Sequence, residues 1–246
     1  SKILGYDIKN SVAVTSKNMV IVATGSSTAG GGISNKVIAL NANNLQNQEW
    51  MFSFGSVNPD DASICFESSP VIRDNNIYIT SWNGDSSLIS DIFDFLNFSK
   101  GNNKLICLTE GGSFEWSQDL PSGSLSSPAV GENIIVAGCE KNNGDSLHAF
   151  TLSGTKLWSV DVGPIGYASP VISGDFVYVV SKKIPSLNGV SLGTNAFTQI
   201  MCVSLSDGSI KWNTTIGDII IDSYANAAYS SPVVANDFVY VASPDG

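Results

Sequence analysis

A chain of 246 residues, 43% of them hydrophobic, has the apolar material for a large core. Its 12 basic and 22 acidic residues leave a net charge of −10, which weighs against binding a nucleic-acid backbone, and a lone arginine, Arg73, leaves few bidentate clamps for phosphate or carboxylate. No stretch approaches about 18 consecutive apolar residues, so no spanning helix is expected, and the four scattered cysteines contain no Cys-x-x-Cys pair of the kind that builds zinc sites.

The first residues carry no basic-then-apolar signal pattern. From Ser11 the chain reads Ser-Val-Ala-Val-Thr-Ser-Lys-Asn-Met-Val-Ile-Val, a degenerate copy of a phrase that then recurs four times. The fuller copies begin at Ser69 (Ser-Pro-Val-Ile-Arg-Asp-Asn-Asn-Ile-Tyr-Ile), Ser127, Ser169 and Ser231. Each predicts two short strands, A and B, around a turn. The turns carry Asp74-Asn75-Asn76, Gly131-Glu132-Asn133, Gly174-Asp175 and Asn236-Asp237, all strong turn formers. A second strand pair, C and D, follows in four of the copies and ends on Trp50, Trp116, Trp158 and Trp212. Gly112, Gly154 and Gly208 fall where the C–D hairpin needs positive φ.

Successive tryptophans of this set stand 66, 42 and 54 residues apart. Four short antiparallel strands repeated at that interval are the signature of a β-propeller. The expected class is therefore all-β, with complete four-stranded antiparallel blades at about 11–55, 69–121, 127–163 and 169–217 and a partial fifth at about 231–243. No linker interrupts the repeats, so residues 1–246 read as one propeller domain, incomplete at both ends and part of a larger propeller. The alternative for closure is that Lys2-Ile3-Leu4-Gly5-Tyr6 folds back to help complete the ring. Leu88 to Phe98 could form a short helix inside an insert.

The spacing Cys202, Ser204, Asp207-Gly208 and Trp212 resembles the quinoprotein-type (PQQ-like) β-propeller repeat. Ala149, Thr151, Gly154 and Trp158 match it with one residue fewer, and Ala39, Asn41 and Trp50 match it with a longer turn. The resemblance covers nearly the whole chain. It implies that Trp50, Trp116, Trp158 and Trp212 dock neighbouring blades. It does not imply one activity, since the repeat serves quinone-cofactor dehydrogenases, a propeller lipoprotein of outer-membrane protein assembly, and surface proteins without a cofactor. The dehydrogenases of the family pair vicinal cysteines with a catalytic aspartate and calcium under the quinone. This chain has no adjacent cysteines and few cations for the cofactor's carboxylates, which argues against PQQ.

Loop lengths are uneven. The A–B and C–D turns are short, whereas the B–C connections at 25–35, 82–103 and 182–199 and the D–A connections at 56–68 and 217–230 are long. In an antiparallel blade these two kinds of connection leave the same face, so the expansion is confined to one side, where binding sites on rigid scaffolds concentrate. The candidates for contact on that face are Trp82, Asp85, Asp91, Phe93, Phe95 and Tyr224, with packing of the insert as the alternative reading for its aromatics. Asp60, Asp61, Asp85, Asp218 and Asp222 are candidate Ca²⁺ ligands, although no Asp-x-Asp-x-Asp-Gly loop supports them over solvated turn residues.

The remaining residues offer less chemistry. His148 lies in a strand C with no partner base or nucleophile in its sequence neighbourhood. Cys107 and Cys202 align with Ala39 and Ala149 as small core residues. Cys65 and Cys139 fall near the long-loop face, where a disulfide would imply an oxidising compartment. Asn97 and Asn213 open glycosylation triplets. Together these features describe a non-catalytic extracellular, cell-surface or periplasmic propeller. It would bind a protein or cell-surface component through its long B–C and D–A loops, as a scaffold and with no nucleic-acid partner. A PQQ-dependent dehydrogenase-like domain and a periplasmic assembly factor that binds peptide strands are the alternatives.

Overall fold

The structure, a computed structural model, describes residues 8–25, 36–54, 64–83, 103–140, 144–183, 186–187, 190–191, 195–220 and 230–242. Its regular elements are all β-strands. The segment 88–98, where a short helix was expected, lies outside the described residues. The chain divides into two compact units, 1–128 and 129–246.

The first unit holds two blades. One is β1 (Ala13–Val14), β2 (Met19–Ala23), β3 (Lys36–Asn41) and β4 (Gln48–Ser53), paired in that order. A short strand β5 (Ile64–Cys65) leads to the second blade, β6 (Val71–Arg73), β7 (Asn76–Thr80), β9 (Asn103–Thr109) and β10 (Phe114–Leu120). A further short strand, β8 (Trp82–Asn83), continues from β7 and pairs with β5.

The second unit holds β11 (Ala129–Val130), β12 (Ile134–Gly138), β13 (Leu147–Thr151) and β14 (Lys156–Val160) as one blade. Its other complete blade is β15 (Val171–Ser173), β16 (Phe176–Lys183), β19 (Asn195–Ser204) and β20 (Ile210–Ile220). A small hairpin, β17 (Ser186–Leu187) with β18 (Val190–Ser191), sits between β16 and β19. A fifth blade is represented by β21 (Val233–Ala235) and β22 (Phe238–Tyr240). The fold class is thus that of a β-propeller built from four-stranded antiparallel blades, with four of them complete. Two boundaries differ from expectation. The stretch 182–199 is partly strand, because β16 runs to Lys183 and β19 starts at Asn195. Likewise β20 continues past residue 217 to Ile220, paired with β19.

Turn chemistry explains the hairpins. Both central residues of the A–B turn have positive φ at Asp74 (49°) and Asn75 (64°), and again at Asn236 (50°) and Asn's neighbour Asp237 (65°). That is the geometry a tight hairpin requires, and Asn and Asp tolerate it best after glycine. The strands B and C are apolar on both sides: Ile77, Tyr78, Ile79, Leu105, Ile106 and Leu108 are all fully buried. Their continuous apolar runs suit strands covered by a blade on each face. The cores accordingly lie between blades. In the first unit Ile21, Ala23, Val37, Ala39 and Phe52 of one blade meet Ile77, Ile79, Ile106 and Leu108 of the next. In the second, Val136 and Ala149 share a cluster with Val177, Val179, Met201 and Val203.

One row of residues repeats across every complete blade. Ile21 pairs with Ala39 and Ala39 with Trp50; Tyr78 pairs with Cys107 and Cys107 with Trp116. The second unit repeats it as Val136–Ala149–Trp158 and Tyr178–Cys202–Trp212. Each C–D pair also has a β-bulge beside the tryptophan, at Ala39/Leu40, Phe114/Trp116, Ala149/Phe150 and Cys202/Val203. Such a bulge re-aims the side chain next to it.

The Ser-Pro phrase has its own bonding. Ser11 N–H donates to Ser69 Oγ (3.0 Å) and Ser69 N–H to Ser127 Oγ (2.8 Å). In the second unit Ser169 N–H donates to Ser231 Oγ (2.8 Å). Each link gives the donating serine amide a partner, which in the Ser69 and Ser169 copies lies beside a proline that has no N–H.

Candidate interaction face

The side of the blades that carries the C–D turns is closed by tryptophan. Trp50 Nε1 donates to the Glu110 carbonyl (2.8 Å), and Trp158 Nε1 donates to the Leu205 carbonyl (2.9 Å). Each indole lies against the glycine of the same turn. A Cβ on Gly112 would sit 2.5 Å from the Trp50 ring, and one on Gly208 would sit 2.7 Å from the Trp158 ring. Those glycines also have φ of 83° and 73°, which L side chains rarely adopt. The Glu110 carboxylate is buried as well, and it accepts from Ser16 Oγ (3.4 Å) with Lys17 Nζ at 4.0 Å.

The opposite side, with the B–C and D–A connections, is built differently. Among the described residues, three D–A connections are stitched to the end of a strand B. Phe66 N–H donates to Thr24 O (3.3 Å), Ser124 N–H to Ser81 O (3.2 Å) and Ile165 N–H to Cys139 O (3.1 Å). Those connections also reach the following blade, through the Cys65–Trp82 pairing and through Lys182 N–H donating to Pro164 O (2.9 Å).

One strand-B position recurs just past those links, four residues beyond the row that ends on tryptophan. It holds Gly25 and Trp82 in the first unit and Glu140 and Lys182 in the second. The Trp82 Nε1 and Glu140 Oε1 atoms are both buried and, among the described residues, have no hydrogen-bond partner. Lys182 Nζ stands 3.9 Å from Glu140, whose side chain is 9% exposed. Burial pushes the Glu140 carboxyl above its ordinary range, and the Lys182 charge opposes that shift. In the first unit Glu67, also buried, is paired with Lys9 at 2.9 Å. Sequence reasoning singled out none of Glu67, Glu140, Lys9 or Lys182. Aligning the position just beyond each strand-B core would have found Glu140 and Lys182.

His148 lies below the same side. Its Nε2 is 3.1 Å from the Asp145 carbonyl oxygen and 3.8 Å from Cys139 Sγ. Burial, helped by the Lys156 charge, lowers its pKa to about 4, so the ring is neutral at pH 7. Histidine beside a thiol is the composition of a nucleophilic dyad, but Cys139 and His148 are 0% and 3% exposed, which closes the pair to a substrate.

Trp82, a contact candidate whose alternative reading was packing, begins β8. It is 9% exposed, and its backbone pairs with Cys65 of β5. The four cysteines are buried and form no disulfide, which removes the proposed Cys65–Cys139 link. Trp116 is half-buried and 6.1 Å from Tyr78, while Trp212 is 41% exposed. Asn213 is exposed on β20 opposite Met201. Asp218 pairs along the backbone with Phe197. Asp60, Asp61, Asp85, Asp91, Phe93, Phe95, Asn97, Asp222 and Tyr224 lie outside the described residues. Among the described residues no three His, Cys, Asp or Glu side chains converge as a metal site would need.

Comparison with known proteins follows the fold. Residues 93–246 match the family described as outer membrane protein assembly factor BamB. The crystal structure of BamB from Moraxella catarrhalis matches with a TM-score of 0.59 at 14% identity, covering 97% of this chain and 56% of that one. The quinohemoprotein alcohol dehydrogenase ADHIIG from Pseudomonas putida HK5 matches with a TM-score of 0.59 at 13% identity, over 98% of this chain and 39% of that one. A europium-containing methanol dehydrogenase matches at 0.51 and 12%, over 81% and 40%. At such identities the likeness is one of fold, and the chain spans about half the length of the first relative and less of the others. By sequence, no curated protein matches it.

Proposed function

The chain belongs to the family of outer membrane protein assembly factor BamB, and from that membership we propose that it is a non-catalytic binding propeller that holds a protein partner on its long-loop face. The supporting observation is Glu140: a buried carboxylate oxygen without a hydrogen-bond partner, beside Lys182, on the face where the connections are long. A buried polar atom left unpaired costs about 1–3 kcal/mol, and the carboxylate holds the more exposed Lys182 at the rim. Lys182 thus supplies an oriented cation on that rim, beside the polar backbone of the connections. That combination suits the polar backbone or side chains of a polypeptide. As part of the same proposal the protein works in the cell envelope, on the periplasmic or outer side. No helix among the described residues is long and apolar enough to cross a membrane.

The test is a peptide array of strand-forming sequences, followed by titration of the best binders. Binding that weakens at least tenfold in Lys182→Ala and Glu140→Gln, with folding unchanged, is the expected result. Tight binding of PQQ with Ca²⁺ accompanied by redox turnover would overturn the scaffold reading in favour of a dehydrogenase.

A further inference from the structure

Among the described residues β4, β10, β14 and β20 are each the last strand of their sheet and pair on one side only. Their outer edges form the perimeter of the blades. In three of them charges break the edge into short pieces. β4 carries Glu49, β10 carries Glu115 and Asp119, and β14 carries Lys156, so no uncharged run within them exceeds four residues. β20 differs. It is the longest strand described, at eleven residues, and between Lys211 and Asp218 it reads Trp-Asn-Thr-Thr-Ile-Gly without a charge. An unpaired edge of about six uncharged residues, rich in aromatic and β-branched side chains, is the kind that templates pairing with another chain.

That same run holds Asn213-Thr214-Thr215, the one Asn-x-Ser/Thr triplet among the described residues. All three of its residues are exposed. Asn213 lies opposite Met201 and Thr215 opposite Gln199. Alternation puts the Asn213 side chain on the sheet face away from Trp212. The residues at its place in the other blades are Met51, Ser117 and Ser159, opposite Ile38, Ile106 and His148. Ser117 and Ser159 are half-buried, so an exposed amide here is particular to this blade.

We propose that Asn213 carries an N-linked oligosaccharide, and that this glycan protects the β20 edge in place of a charge. The donor is an oligosaccharide on a polyprenyl diphosphate, and a transferase supplies the catalysis. Asn213 Nδ2 bonds to the anomeric carbon while the bond from that carbon to the diphosphate oxygen breaks. The polyprenyl diphosphate leaves, the nitrogen gives up one proton, and nothing is oxidised or reduced. Thr215 supplies the hydroxyl that completes the acceptor triplet. The sugar is bulky and hydrated, and needs a surface position. One strand inward there is no room, since Met201 is 5% exposed. On the perimeter the glycan meets water and bars a second strand from β20. The proposal rests on the cell-envelope reading in one respect: the transferase meets exported chains.

The test starts with the protein purified from its own cells after fractionation. Mass spectrometry of the peptide that holds residue 213 should show the oligosaccharide, removable by a glycan amidase. An exported protein with a bare Asn213 overturns this inference alone, and a protein retained in the cytosol overturns the envelope reading with it. In a secreted recombinant form, Asn213→Gln and Thr215→Ala should both lose the sugar, and Thr215→Ser should keep it. Sedimentation then reads the edge. The unglycosylated Asn213→Gln protein should self-associate at a concentration at least tenfold lower than the glycosylated one, with Tm unchanged. Asn213→Lys, which puts a charge into the run without any sugar, should restore the monomer. Equal self-association with and without the glycan overturns the protective role, and so does an Asn213→Lys protein that associates as Asn213→Gln does.

Discussion

Two buried glutamates mark the contrast between the faces. Glu110, on the C–D turn side, has Ser16 and Lys17 on its carboxylate and gives its carbonyl to Trp50. Glu140, at the end of a strand B on the other side, keeps an oxygen unpaired although Lys182 is close. Both sides belong to the same kind of blade, so the scaffold does not dictate the difference. The turn side is constrained by the repeat: at Trp50 and Trp158 an indole, a carbonyl and a glycine meet. The loop side is constrained at its backbone links. Just past them the equivalent position varies freely, from Gly25 to Trp82, Glu140 and Lys182.

This division would be broken by a turn-side substitution that spares stability, or by a loop-side one that ruins it. Gly208→Val should have the largest effect, because it combines a positive φ with overlap on the Trp158 ring. A loss of roughly 3–5 kcal/mol is expected in urea unfolding. The next effect is acid sensitivity through His148. Its folded pKa is depressed to about 4, so its contribution is present above the unfolded value near 6.5 and disappears as pH falls toward 4. About 3 kcal/mol should be lost across that window, and His148→Met, which copies the aligned Met201, should flatten the pH profile. Trp158→Phe follows, at about 2 kcal/mol, from the lost hydrogen bond and ring area. Glu140→Gln should be the mildest. A raised carboxyl pKa means that stability is complete below the ordinary glutamate value and falls as pH rises through the raised one. The amide removes that decline, so stability at pH 7 should stay level or rise by roughly 0–1 kcal/mol, while partner binding weakens.

Much of the architecture was readable in the linear chain because its signals are local. Asp74-Asn75 and Asn236-Asp237 announce positive-φ turns, and Gly112, Gly154 and Gly208 adopt the φ their hairpins require. The face was less readable because its features join residues from different blades. Nothing near Trp82 in sequence says that β5 will pair with it, since the pairing spans the intervening blade strands. The unpaired oxygen of Glu140 likewise depends on where Lys182 arrives, a whole repeat later. The bulges beside each tryptophan were also not legible, because a bulge is defined by the register between strands C and D and not by either strand alone.

The serine links have a wider consequence. Ser11 to Ser69, Ser69 to Ser127 and Ser169 to Ser231 use only a backbone amide and one hydroxyl. None of them reads the identity of the neighbouring blade. A unit joined by so generic a connector can be duplicated, deleted or exchanged without rewriting those beside it. Stability in such a chain is a sum over adjacent pairs. Lineages built from this cassette can change blade number by simple duplication, and each new blade arrives with its connector in place and an upper rim open to divergence.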